Sequence, residues 1–91
     1  MEENYSNDKA LANANQQALQ FGLKIVLNAC MDHYIESGSK LSRDEYWKRR
    51  MKLTGIQSFD SYVQGLASGW IDAGLIGADA IASKVKSVLG L

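Results

Sequence analysis

With 91 residues, 46% of them hydrophobic, the chain is long enough for one small domain that buries about two-thirds of the surface of the unfolded chain. Ten basic residues balance ten acidic ones, which argues against a general nucleic-acid binder. One cysteine excludes an intrachain disulfide, and one histidine without a CxxC pair argues against a metal staple, so association with another protein is the remaining common source of stability.

The N-terminus is acidic, with Glu2, Glu3 and Asp8, and lacks the basic start and apolar run of a secretory signal peptide. The most apolar stretch, residues 65–82, contains Asp72 and Asp79 and falls short of the roughly 20 apolar residues that span a bilayer. We therefore expect a cytoplasmic protein without a transmembrane segment, found in the virion or host cytoplasm if its origin is viral.

A long first helix is predicted from about Asp8 to Ser37, with residues 1–7 frayed. Its apolar residues recur at spacings of three and four, the period of a helix with one buried face. They are Leu19, Leu23, Val26, Cys30 and Tyr34, flanked by Ala18, Gly22, Ile25 and Ala29. Gly38 occupies the position of a left-handed C-terminal cap.

A second helix is predicted to begin after Ser42, which caps it while Glu45 reaches back to the amide of the capping residue. Leu41 is placed to pack against Tyr46 at this start. The helix is expected to end at Gly55, and Ile56 to fold back on its last turn.

A third helical segment is predicted to open at Ser58 with Asp60 in its first turn. Four glycines then either break it near residues 74–77 or are compensated by packing. A final amphipathic piece follows over residues 78–89. The predicted fold is an all-α bundle of three to four helices over residues 1–91, with the long first helix antiparallel to the glycine-punctuated C-terminal segment.

Small residues recur every four positions in the third segment: Gly65, Gly69, Ala73 and Gly77, here called the small-residue ladder. Absent side chains allow another helix to approach closely. One interpretation is internal packing against Gly22 and its neighbours on the first helix. The other is an interface with a second copy or another helical protein, aided by Trp70 and Ile71.

The second helix carries a basic, aromatic segment that suggests an alternative, weak nucleic-acid binding, through Arg43, Trp47, Arg50 and Lys52. Two bases have acidic partners one helical turn earlier, Asp44 for Lys48 and Glu45 for Arg49, which favours a solvated charged face instead.

Cys30 and His33 lie one turn apart, but neither a zinc ligand set nor an oxyanion hole accompanies them, so no metal, cofactor or catalytic residue is predicted. Residues 75–91 form an amphipathic piece with only Lys84 and Lys86 to meet anionic lipids, so membrane-surface activity is the weakest alternative. The leading hypothesis is a non-enzymatic, helix-mediated assembly or regulatory protein. It would be a homo-oligomer, or a small inhibitor or adaptor of the kind found in phages and mobile elements.

Overall fold

The computed structural model describes the backbone of residues 2–91 and the side chains of residues 13–91. Within these limits every regular element is a helix, and the predicted all-α bundle is confirmed. The helices are α1 (Glu2–Ser37), α2 (Arg43–Thr54), α3 (Ile56–Leu66), α4 (Ser68–Asp72) and α5 (Ala78–Val88). The segment after Gly55 thus forms three helices, more than expected. The helix α1 begins earlier than predicted, at Glu2, while fraying of residues 1–7 stays a prediction, because the side chains of residues 1–12 lie outside the description.

The helix α1 determines the length of the molecule. Its 36 residues span about 54 Å at 1.5 Å per residue, and the molecule measures 56 × 20 × 20 Å. Among the described side chains, those of α1 that join the hydrophobic core begin at Ala18. The other four helices therefore pack against the C-terminal half of α1, and the N-terminal half extends beyond the core.

The connection from α1 to α2 follows the local sequence closely. Gly38 adopts a left-handed conformation (φ 67°) and ends α1. The Ser42 side chain accepts a hydrogen bond from the Glu45 amide at 3.3 Å, so Ser42 is the N-cap, as predicted. The reciprocal bond, from the Ser42 amide to the Glu45 carboxylate, is absent among the described hydrogen bonds. In the same loop, the Tyr34 hydroxyl donates a hydrogen bond to the Leu41 carbonyl, which connects the loop to α1.

Gly55 joins α2 directly to α3. Its positive φ of 94° and extended ψ of 156° redirect the backbone within one residue, and its amide still donates to the Met51 carbonyl at 2.7 Å. The helix α3 therefore begins at Ile56, and the prediction that Ser58 caps it is wrong: α3 has no side-chain cap hydrogen bond. The side chain of Ile56 is 56% exposed, so it does not pack on the last turn of α2 as expected.

The chain first runs antiparallel to α1 and then returns. Tyr62 lies beside His33, with ring centroids 5.8 Å apart, and Trp70 lies near Gly22. Residues 62–70 therefore run antiparallel to α1, as predicted. After the turn at Gly74 (φ 74°), Ile76 also packs at Gly22, while Gly90 lies near Asp44 at the start of α2. The helix α5 thus runs parallel to α1.

One hydrophobic core joins these helices. Its largest fully buried side chains come from every helix except the short α4: Trp47, Ile81, Leu89, Val26, Val63, Val85 and Cys30. At the edge of the core, Lys86 forms an ion pair with Asp60 at 3.1 Å and links α5 to α3. Both side chains are partly buried, so water screens their attraction less than it screens that of a fully exposed pair.

Candidate functional site

The small-residue ladder lies on the surface. Gly65, Gly69, Ala73 and Gly77 are all exposed. A Cβ atom added to Gly65 or Gly69 would meet no described atom within 4 Å, and one added to Gly77 would meet only Ala80. Close internal packing of α1 against Gly65 and Gly69 is therefore wrong, whereas Gly77 lines a pocket with Asn15, Gln16 and Leu19 of α1. The ladder is also not one side of one helix, because helix ends at Ala67 and Ala73 divide it among α3, α4 and the start of α5.

Trp70 and Ile71, predicted to extend the ladder, are partly buried and pack against the core. Side chains do approach Gly22 closely, as expected, but they are not those of the small-residue ladder. A Cβ atom at Gly22 would lie 2.7 Å from Ile76 Cδ1 and 3.9 Å from Trp70 Cε3. Ile76 and Trp70 thus occupy the space on α1 that the sequence assigned to the ladder.

An exposed apolar surface is found on α1 instead. Phe21 is 64% exposed and Ile25 39% exposed, one helical turn apart. Ala14, which is exposed, and Ala18, which is partly buried, continue the same line toward the N-terminus. We call these four residues the α1 seam. The periodicity of the sequence placed Ile25 beside the core face and did not single out Phe21, although the spacing 14, 18, 21, 25 is the heptad pattern of a helix-pairing face.

The residues of the nucleic-acid alternative do not form one surface. Arg50 and Lys52 are exposed, as are Lys48 and Arg49. Trp47 is only 2% exposed, and its ring packs among His33, Phe59 and Tyr62 at centroid distances of 5.1, 5.6 and 5.9 Å. Because these neighbours belong to the aromatic core, Trp47 has no free ring face for a nucleic-acid base.

The charge pairs of α2 also differ from expectation. Asp44 pairs with Arg43 at 3.0 Å, so Arg43 is engaged within α2 and is not a free cation. In the part of the chain whose side chains are described, neither Asp44 with Lys48 nor Glu45 with Arg49 comes within salt-bridge distance. Neighbouring charged side chains at this exposure exchange partners at little cost, and each such pair contributes at most about 1 kcal/mol.

A small pocket of about 180 Å³ opens where α2 turns into α3. It is lined by His33, Trp47, Arg50, Met51, Thr54, Ser58, Phe59 and Tyr62. Burial raises the pKa of Tyr62 above its usual value, with a further rise from Cys30 and an opposing effect of the Arg50 charge. The pocket is smaller than the roughly 300 Å³ at which ligand sites begin, so its dimensions suit a single side chain.

Cys30 is fully buried, as its position on the core face predicted. Burial raises the pKa of its thiol to about 11, against the opposing charge of Arg43, so the thiol is protonated at neutral pH. His33 is partly buried beside Tyr46, Trp47 and Tyr62. In the described residues, no three His, Cys, Asp or Glu side chains are grouped so that they could hold a metal ion.

No helix among the described residues has the length and apolar character needed to cross a bilayer. The chain matches no protein-family model, and comparisons with curated proteins and with solved structures find no similar protein.

Proposed function

We propose that this protein is a non-enzymatic, helix-mediated binding protein that acts by associating with itself or with another helical protein through α1. One observation carries the proposal: the α1 seam exposes Phe21 and Ile25 on the same helical face. A single exposed apolar side chain is ordinary on a protein surface, but an aromatic and a branched aliphatic residue one turn apart present a continuous surface to a partner.

The position of the seam supports a helical partner. Phe21 and Ile25 lie where α1 enters the bundle, and Ala14 leads along the part of the helix that extends beyond the core. Between Asn13 and Asn28 the only charged residue is Lys24, so a helix that lies along the seam displaces few hydrated charges. An apolar helix face in a groove or against another helix is a common mode of protein recognition.

A photo-reactive amino acid at position 21 tests the proposal in cells that express the protein. We expect covalent adducts to a protein at this position and far fewer when the same amino acid replaces Gln57, which is exposed on α3. Equal labelling at the two positions, or none at position 21, would contradict the proposal. The masses of the adducts show whether the partner is another copy or a different chain.

The exposed bases Lys48, Arg49, Arg50 and Lys52 keep nucleic-acid binding as the second candidate. Four cations without a stacking ring predict weak binding that salt removes readily. Retention on heparin at low salt, lost when Arg50 and Lys52 are replaced by glutamine, would favour this candidate. The absence of retention would exclude it.

A further inference from the structure

The four residues of the α1 seam follow an order that allows two copies to fit together. From the N-terminus they are small, small, large and large: Ala14, Ala18, Phe21 and Ile25. In an antiparallel pair of helices related by a two-fold axis, residues whose numbers have the same sum lie opposite each other. With the axis between Leu19 and Gln20, Phe21 faces Ala18 of the second copy, and Ile25 faces Ala14.

Resting on the proposed function, we infer that the partner of the seam is a second copy of this chain, bound antiparallel in this register. Each large side chain then lies against a small one, which is the alternation that close helix packing needs. A parallel pair would place Phe21 against Phe21 and Ala14 against Ala14, with a bulge at one point and a gap at the other. The order of sizes therefore favours the antiparallel pair.

The same axis lies at the midpoint of α1, which runs from Glu2 to Ser37. Two α1 helices in this register overlap over their whole length of about 54 Å. The N-terminal half of each, which extends beyond its own core, then lies along the C-terminal half of the other. This matters because an isolated helix of about 12–15 residues is marginally stable in water.

The charge of Lys24 does not oppose this arrangement. Lys24 is exposed beside the seam, but the antiparallel register offsets the two copies of Lys24 by nine residues, about 13 Å along the axis. This distance exceeds the screening length of about 8 Å at physiological salt.

Cysteine pairing tests the register directly. We expect a mixture of the Ala14→Cys and Ile25→Cys variants to form a disulfide-linked heterodimer in a glutathione redox buffer, because these positions face each other across the interface. Each variant alone should give little dimer, and the wild-type chain, whose Cys30 is buried, measures the background. Efficient dimer from Ala14→Cys alone would indicate a parallel pair and overturn the inference.

A size exchange supplies an independent test by sedimentation equilibrium. We expect Ile25→Ala to weaken dimerisation about tenfold or more, and Ala14→Ile combined with Ile25→Ala to restore it, since the large side chain again faces a small one. Both positions are exposed and outside the core, so the folded monomer should tolerate both changes. Leu53→Ala, at an 86% exposed residue of α2, is the matched control and should leave dimerisation unchanged.

A wild-type chain that stays monomeric at several hundred micromolar, or a double variant that is not restored, would overturn the inference. The photo-cross-linking experiment separates this result from failure of the proposed function. Adducts from position 21 to a different protein would refute self-pairing and leave helix-mediated binding intact. The absence of adducts from position 21 would refute both.

Discussion

Two apolar stripes run along α1 and have different surroundings. The first, with Val26 and Cys30, is fully buried by the helices that follow. The second, the α1 seam, leaves Phe21 and Ile25 exposed. Both show the helical spacing of three and four residues. The comparison shows that periodicity identifies faces able to pack, while the rest of the chain decides which of them is covered within the monomer.

The largest difference in unfolding free energy is expected between substitutions at two neighbouring residues, one on each stripe. Val26→Asp places a charge in the core and should cost at least about 4 kcal/mol of unfolding free energy, because no partner is available there. Ile25→Asp, at a side chain that is 39% exposed, should cost the monomer only about 1 kcal/mol. Urea denaturation at low micromolar concentration measures both. Similar losses for the two variants would show that the seam is part of the monomer core.

Alkaline pH should weaken the buried stripe through Cys30. The pKa of its thiol is about 11 in the folded chain, above the ordinary value of 9.0, so the unfolded chain loses this proton first as pH rises. The protonated thiol therefore supports full stability below pH 9, and about 2–3 kcal/mol is lost between pH 9 and 11. The stability difference between wild type and Cys30→Ala, measured across this range, isolates the effect. A difference independent of pH would contradict the burial of the thiol.

Gly22, which lies within α1, should tolerate an added methyl group poorly. Its Cβ would lie 2.7 Å from Ile76 Cδ1 inside a packed contact, so Gly22→Ala should cost about 1 kcal/mol, despite the better helix propensity of alanine. Ile76→Val removes Cδ1 and should make the same substitution neutral or favourable. A double-mutant cycle by thermal denaturation measures this coupling. Additive effects would show that the two residues do not touch.

Substitution of Gly69 should have the smallest effect on the unfolding free energy, because a Cβ atom there meets open space. We expect Gly69→Ala to raise the unfolding free energy by about 0.5–1 kcal/mol through helix propensity alone. Gly69→Leu should leave the stability of the monomer within about 0.5 kcal/mol of that of Gly69→Ala. If Gly69→Leu instead abolishes self-association in light scattering, the small-residue ladder and not the α1 seam is the interface.

The sequence predicted those parts of the fold that depend on neighbouring residues. The Ser42 cap, the glycine ends at Gly38 and Gly55, and the burial of Cys30 all follow from local hydrogen bonding, backbone freedom or spacing. The start of α3 was missed because one residue, Gly55, serves both as the end of α2 and as the beginning of the next helix. A capping motif at Ser58 is present in the sequence, but the helix has already begun there.

The candidate site was the least predictable part. Small residues at a spacing of four indicate a close contact only if the backbone stays helical, and the breaks at Ala67 and Ala73 remove that condition. The covering of Trp47 by three aromatic rings from other helices likewise depends on contacts far apart in the sequence. No local pattern reveals which side of an amphipathic helix its neighbours will occupy.

By itself, then, the sequence determined an all-α chain, its capped second helix and a first helix rich in apolar positions, because these follow from interactions within one or two helical turns. The tertiary structure alone decided that α5 returns parallel to α1 and that the later helices cover the stripe with Val26 and Cys30. Since a helix of 36 residues is longer than this bundle, part of α1 extends past the core. Phe21 and Ile25 lie within the packed part of α1 and are exposed because the other helices cover the opposite stripe.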